Sequence, residues 1–300
     1  MKKIKGPLIL LITAFIWGSA FVAQTTAADT IEAFTFTFSR NIIAAAFLGI
    51  IILIKDRVKK PEKTKKSRRR ILLGGTICGV VLFVASNLQQ LGISIYPEGV
   101  AASGRAGFLT STYVVMVALA SAFSGRKPHP LVFVAAGGTI VGMYFLCMSG
   151  SAGGFYTGDI LLLLCAVCFS AHILTIDRFP DNDGIKMSCL QFAVCGVLSM
   201  ICAFIFETPV LSDMCAAAVP ILYAALFSSG IAYTLQIIGQ KYTSPAVAAI
   251  VMSLESVFAA LSGWIILNER MSPPEIAGGA IVLAAVITAQ LPAFFKKEQQ

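Results

Sequence analysis

Runs of about twenty mostly apolar residues recur along this entire 300-residue chain, each bounded by charges, prolines or glycine clusters. A helix rises about 1.5 Å per residue, so such a run crosses the roughly 30 Å hydrocarbon core of a bilayer. Lipid offers the backbone no hydrogen-bond partners, so a spanning segment must bond to itself, and a helix does this. The pattern therefore predicts an all-α integral membrane protein. Ten runs are read: 7–24, 33–54, 71–95, 99–123, 131–147, 158–175, 187–206, 216–237, 246–267 and 275–291. With 57% hydrophobic and 13% charged residues and a mean hydropathy of +0.83, no hydrophilic stretch is long enough for a soluble domain. The basic, apolar start "MKKIKGPLILLITAFIWGSAF" resembles a secretory leader, but its apolar run is long and its cleavage site poor, so it is read as helix 1.

Ten crossings put both termini on one side. Of 23 Lys and Arg residues, twenty fall on the segments that are internal if the N-terminus is cytoplasmic, and one, Arg270, falls outside. The expected location is thus a bacterial cytoplasmic membrane, multi-pass, with cytoplasmic termini. The net charge of +8 equals the excess of the loop "KDRVKKPEKTKKSRRR", which acts as a topology anchor and does not indicate nucleic acid. All eight cysteines lie in or at the ends of apolar runs, where they pack as small residues. Cys165, Cys168 and His172 share one helical stripe but lack an evident fourth ligand, so no metal and no cofactor is expected. No phosphate loop, G-x-S-x-G or H-E-x-x-H appears, which argues against an ATPase and against an enzyme.

The chain also repeats itself. "GGTIV" at 137–141 recurs as "GGAIV" at 278–282, and 106–123 aligns without gaps on 248–265, placing Tyr113 opposite Glu255. Residues 5–148 and 156–293 thus read as two five-helix units. Five is odd, so the second copy enters the membrane inverted, a 5+5 arrangement with a site expected where the halves meet.

"FIWGSAFV", the Arg40 of "FTFSRNIIAAAF", "GDILLLLCAVCFSAH" and "YTSPAVAAIVMSLESVFAALSGWIILNERMSP" resemble the EamA-type transporters of the drug/metabolite transporter superfamily. That family often has Pro after the helix 9 Glu, where this chain has Ser256. The resemblance implies ten helices, with 1–4 and 6–9 around a central cavity and 5 and 10 as supports. It also implies secondary transport of a small metabolite, often export of amino acids or drug-like amines. Facilitative or proton-coupled uptake of a vitamin or nucleoside shares the fold. A membrane-embedded enzyme or a sensor is the non-transport alternative. The expected partners are a small-molecule substrate and membrane lipid, with homodimerisation open.

Charges inside a bilayer are costly and mark function or fixed pairing. Four ionisable residues are read within spans: Arg40, Arg105, His172 and Glu255. Glu255 lies deepest, about 14 Å into helix 9, and is assigned to substrate binding and proton or cation coupling. Arg105 is assigned as a substrate anion clamp, Arg40 as a structural charge, and His172 as a packing residue or proton relay. Trp17, Asn87, Tyr113 and Tyr233 are candidate walls for a small organic substrate.

Overall fold

The computed structural model describes residues 2–58, 65–97, 102–123, 128–147, 156–180, 183–267 and 273–295. Gly99, the middle of the basic loop and the "NER" turn lie outside them. Each of the ten apolar runs is mainly helical where described. The first three are α1 (Lys2–Ala28), α2 (Ala33–Val58) and α3 (Lys65–Ser94). The fourth run is split into α4 (Ala102–Ser111) and α5 (Tyr113–Phe123), followed by α6 (Pro130–Cys147), α7 (Thr157–Arg178) and α8 (Gly184–Phe206). A short α9 (Leu211–Ala216) precedes a continuous span made of α10 (Ala218–Tyr223), a π-helical segment (Ala224–Tyr233) and α11 (Thr234–Gln240). The ninth run is split into α12 (Pro245–Met252) and α13 (Glu255–Leu267), and α14 (Pro273–Phe295) ends the bundle. Eight of the described helical spans are long and apolar enough to cross a membrane, and 130–145 and 276–289 are shorter apolar helices.

The main packing partners are α2 with α8, α3 with α7 and α8, α1 with α13, and α6 with α14. Glycine permits two of these crossings. A Cβ on Gly142 would stand 2.8 Å from the Gly278 carbonyl, so α6 and α14 meet backbone to backbone through the second of the two GG motifs. A Cβ on Gly18 would stand 2.7 Å from the Glu255 carbonyl, so α1 closes directly on the first turn of α13. Gly18→Leu is expected to push α13 away and to destabilise the fold by at least about 2 kcal/mol, measured by thermal unfolding in lipid nanodiscs. Gly49, with open space around its Cβ position, is the control: Gly49→Ala should leave stability unchanged or raise it.

The α2–α8 pair is tied at both ends. Where α2 begins, both oxygens of Glu207 accept from its first turn, from Phe34 N and Thr35 N at 2.7 Å each, and satisfy donors that a helix start leaves open. Where α2 ends, Lys55 Nζ meets Asp183 Oδ2 at 2.8 Å, and Asp56 Oδ2 meets Lys186 Nζ at 2.9 Å. Asp183 is also the N-cap of α8, accepting from Ile185 N and Lys186 N. Burial alone would raise its carboxyl, but Lys55 and the two amides hold it below the ordinary value. Its stabilisation is therefore fully present above the ordinary carboxylate range and is lost as pH falls through the lowered folded value. Asp183→Ala is expected to cost about 1 kcal/mol, while Asp183→Asn, which keeps the cap, should cost only a few tenths. Thermal unfolding at pH 7 separates the two.

Candidate functional site

Both split runs break at the same repeat position. Thr112 interrupts the fourth, and Ser253 and Leu254, the aligned partners of Ser111 and Thr112, interrupt the ninth. The hydroxyls explain the breaks. Thr112 Oγ1 donates to the Leu109 carbonyl at 2.6 Å, Ser253 Oγ to Ile250 at 2.7 Å and Ser256 Oγ to Ser253 at 2.8 Å, each three residues back. These local bonds compete with the i to i−4 ladder, and the amides of Thr112, Leu254 and Ser256 likewise bond three residues back, in tight 3₁₀-type turns. The breaks place Tyr113 first in α5 and Glu255 first in α13.

The two breaks also meet in space. Ser111 Oγ donates to Glu255 Oε1 at 3.0 Å and Tyr113 Oη donates to the same oxygen at 3.1 Å. The aligned residues Tyr113 and Glu255 are thus direct partners. Glu255 is only 3% exposed and, among the described residues, has no cation within ion-pair distance. Loss of one of its two hydroxyl donors, in Tyr113→Phe, is expected to cost about 0.5–1.5 kcal/mol of stability without unfolding the bundle, measured by thermal unfolding in lipid nanodiscs.

Glu255 and Tyr113 line a central cavity with Trp17, Phe21, Gln24, Arg40, Gln89, Thr110, Phe169, Ser228 and Tyr233. The free space at its centre is about 30 Å³. Its sides come from α1, α2, α3, α4, α5, α7, the π segment and α13, hence from both sequence halves. The wide π turn carries Ser228 and Tyr233 into the wall. It docks on α1, where Trp17 Nε1 donates to the Ser228 carbonyl at 3.4 Å and Thr13 Oγ1 to Ala232 at 3.3 Å. The Trp17 and Tyr233 rings pack in a tilted pair, centroids 4.7 Å apart.

The sequence candidates separate into two groups. Glu255, Trp17, Tyr113 and Tyr233 line the cavity, and so does Arg40, assigned from sequence to a structural role. Asn87 lies outside its lining, bonded through Nδ2 to the Phe83 carbonyl at 2.7 Å and to Ser199 Oγ at 2.9 Å between α3 and α8. His172 is buried, with Nε2 3.0 Å from Gln191 Oε1 and its ring edge-on to Tyr233. Among the described residues no three His, Cys, Asp or Glu side chains cluster closely enough to hold a metal, and Cys165 and Cys168 are free thiols.

Arg105 is held elsewhere. Its Nε and Nη2 donate to Asp159 Oδ1 and Oδ2 at 2.6 and 2.5 Å, a bidentate pair with side chains 2% and 1% exposed. Tyr96 Oη donates to Asp159 Oδ1 at 2.6 Å, the Tyr156 amide to Oδ2 at 2.8 Å, and the Tyr156 ring faces the guanidinium at 4.8 Å. This network joins the end of α3 and the start of α4 to the first turn of α7. The inventory of four intramembrane ionisable residues is corrected here: Asp159 is a fifth, fully buried inside the span Thr157–Arg178. The signal was an acid near one end of a run and an arginine near one end of another, on the same side of the membrane in the sequence topology. Gln24, Gln89 and Thr110 were also missed, although an amide or hydroxyl inside an apolar run is itself a marker of a polar lining.

An all-helical chain with eight spans able to cross a bilayer and a charged cavity between its helices is a multi-pass membrane protein. The model of the EamA-like transporter family matches it twice, over residues 4–148 and 156–289, and the chain belongs to that family. It is 30% identical to an uncharacterised transporter of Archaeoglobus fulgidus, over 97% of this chain and 87% of that one. It is 29% identical to the threonine/homoserine exporter RhtA of Escherichia coli K12, over 80% of this chain and 77% of RhtA. The fold matches a solved crystal structure with a TM-score of 0.77 over 96% of this chain and 97% of the other, at 19% identity. The protein functions in membrane transport, with a small-molecule substrate and lipid as its surroundings.

Proposed function

We propose that this protein is a secondary active transporter that exports an amine-bearing small metabolite, an amino acid or a drug-like amine, across a bacterial cytoplasmic membrane. Residues 5–148 and 156–293 act as inverted five-helix halves that rock about the cavity, with both termini cytoplasmic. Glu255 binds the cationic group or the coupled proton. Trp17, Tyr113 and Tyr233 form the walls, and the interruptions at Thr112 and Ser253–Leu254 are the hinges.

The observation that carries this reading is the Glu255 carboxylate, buried at the wall of a cavity built from both sequence halves and supported by two hydroxyls, with no ion-pair partner among the described residues. A carboxylate there is expensive unless a ligand cation or a proton meets it. The export activity named for RhtA, 29% identical, supports the choice of substrate and direction.

Counterflow in proteoliposomes, against a panel of L-amino acids, amines and nucleosides, is the test. Saturable exchange competed by amino acids or amines is expected. Binding without saturable flux would make the protein a sensor, and exchange confined to nucleosides would overturn the substrate assignment.

A further inference from the structure

Arg40 stands in the cavity wall on α2, 3% exposed, within the same lining as Glu255. Its Nε has no hydrogen-bond partner, and among the described residues neither a carboxylate nor a carbonyl is bonded to the guanidinium. Its one ring contact is Phe36, 5.3 Å away. Glu255 spends Oε1 on Ser111 and Tyr113 and forms no ion pair with Arg40. Arg105 makes the contrast within the same molecule, since its guanidinium is met by both oxygens of Asp159. The cavity thus carries one positive and one negative side chain, on α2 and α13, that form no ion pair with each other.

We propose that Arg40 binds the carboxylate of the transported molecule while Glu255 takes its ammonium, so that the substrate is an α-amino-acid-like zwitterion and not a simple amine. The inference rests on the transport reading above and narrows it. A guanidinium binds a carboxylate through two parallel N–H donors. A plain amine would satisfy Glu255 and leave Arg40 bare, and a plain carboxylic acid would do the reverse. A zwitterion answers both charges and leaves the site neutral. Gln24 lines the same cavity with an unpartnered Oε1, a further acceptor for an ammonium group. Trp17, Phe21 and Tyr233 flank the charges with apolar surface for a short side chain.

The test is counterflow by the full chain in proteoliposomes, using the standard L-amino acids and the methyl ester of each. Wild type is expected to carry at least one amino acid and to bind its ester at least about tenfold more weakly, since the ester offers no charge to Arg40. Arg40→Gln should raise the half-saturation for the acid at least about tenfold and change that for the ester by less than about threefold. Arg40→Lys should fall between. Arg40→Gln with wild-type half-saturation for the acid, or with equal losses for acid and ester, would overturn the assignment. Should Arg40→Gln fail to insert, wild type decides alone: equal binding of acid and ester overturns the inference. Exchange of amines without amino acids would end this inference and leave the transport reading standing, whereas absence of saturable flux for every solute would end both.

Discussion

Glu255→Gln is expected to weaken binding of an amine-bearing substrate by about 10- to 100-fold, the value of one charge-assisted hydrogen bond in a dry site. The neutral amide keeps an oxygen for Ser111 and Tyr113, so the junction between the two broken spans stays closed and the fold is retained. This separates a binding role from a merely structural one. If Glu255 served only to hold α13 against α4 and α5, Gln would do the same with little change in affinity. Equilibrium binding of the radiolabelled amino acid or amine that counterflow identifies, with thermal unfolding as the control, distinguishes the two. An unchanged affinity with unchanged stability would remove Glu255 from the site.

The other large effect is expected at Asp159. It is the acceptor for both Arg105 donors, for Tyr96 and for the Tyr156 amide, all within a nearly solvent-free pocket. Removing its charge in Asp159→Asn takes from a buried guanidinium the carboxylate that accepts two of its donors, and the expected loss is about 3–5 kcal/mol of stability. Neutralising both partners, in Arg105→Gln with Asp159→Asn, should recover at least half of that loss, because the cost lies in the unpaired charge and not in the missing contact. Reversible denaturant unfolding in mixed micelles measures both. A loss below about 0.5 kcal/mol for the single variant, the level of exposed pairs, would show that water reaches the network.

Most of the helical layout was legible because it follows from one requirement, the burial of backbone in lipid. The apolar runs of the first three helices, for example, match α1, α2 and α3 to within a few residues except at their basic ends. Hydropathy averages over about twenty residues, so it could not register the interruptions at Thr112 and Ser253–Leu254. Those depend on single hydroxyls turning back to nearby carbonyls. The gapless alignment held the information in another form, since it set Tyr113 opposite Glu255, and the two are hydrogen-bonded. The π segment had no comparable signal beyond the Ser228, Ser229, Gly230 cluster.

The charges were harder to read. Depth along a helix can be counted from the sequence, but the facing of a side chain cannot. Arg40 and Arg105 therefore looked alike as lone arginines, yet the first lines the cavity and the second is claimed by Asp159. Asn87 had the chemistry of a cavity wall and lies between α3 and α8 instead. Partnering is a three-dimensional property: an acid near one end of one run and a base near one end of another reveal their pairing only once the helices are packed.

Accumulation of a transported amino acid in proteoliposomes against its own gradient, driven by an imposed pH difference, tests the central claim most directly. Wild type is expected to concentrate the amino acid, and Glu255→Gln to bring it only to equal concentrations on the two sides, at any pH difference. Accumulation by Glu255→Gln to the wild-type level would contradict the assignment of the buried carboxylate as the coupling site.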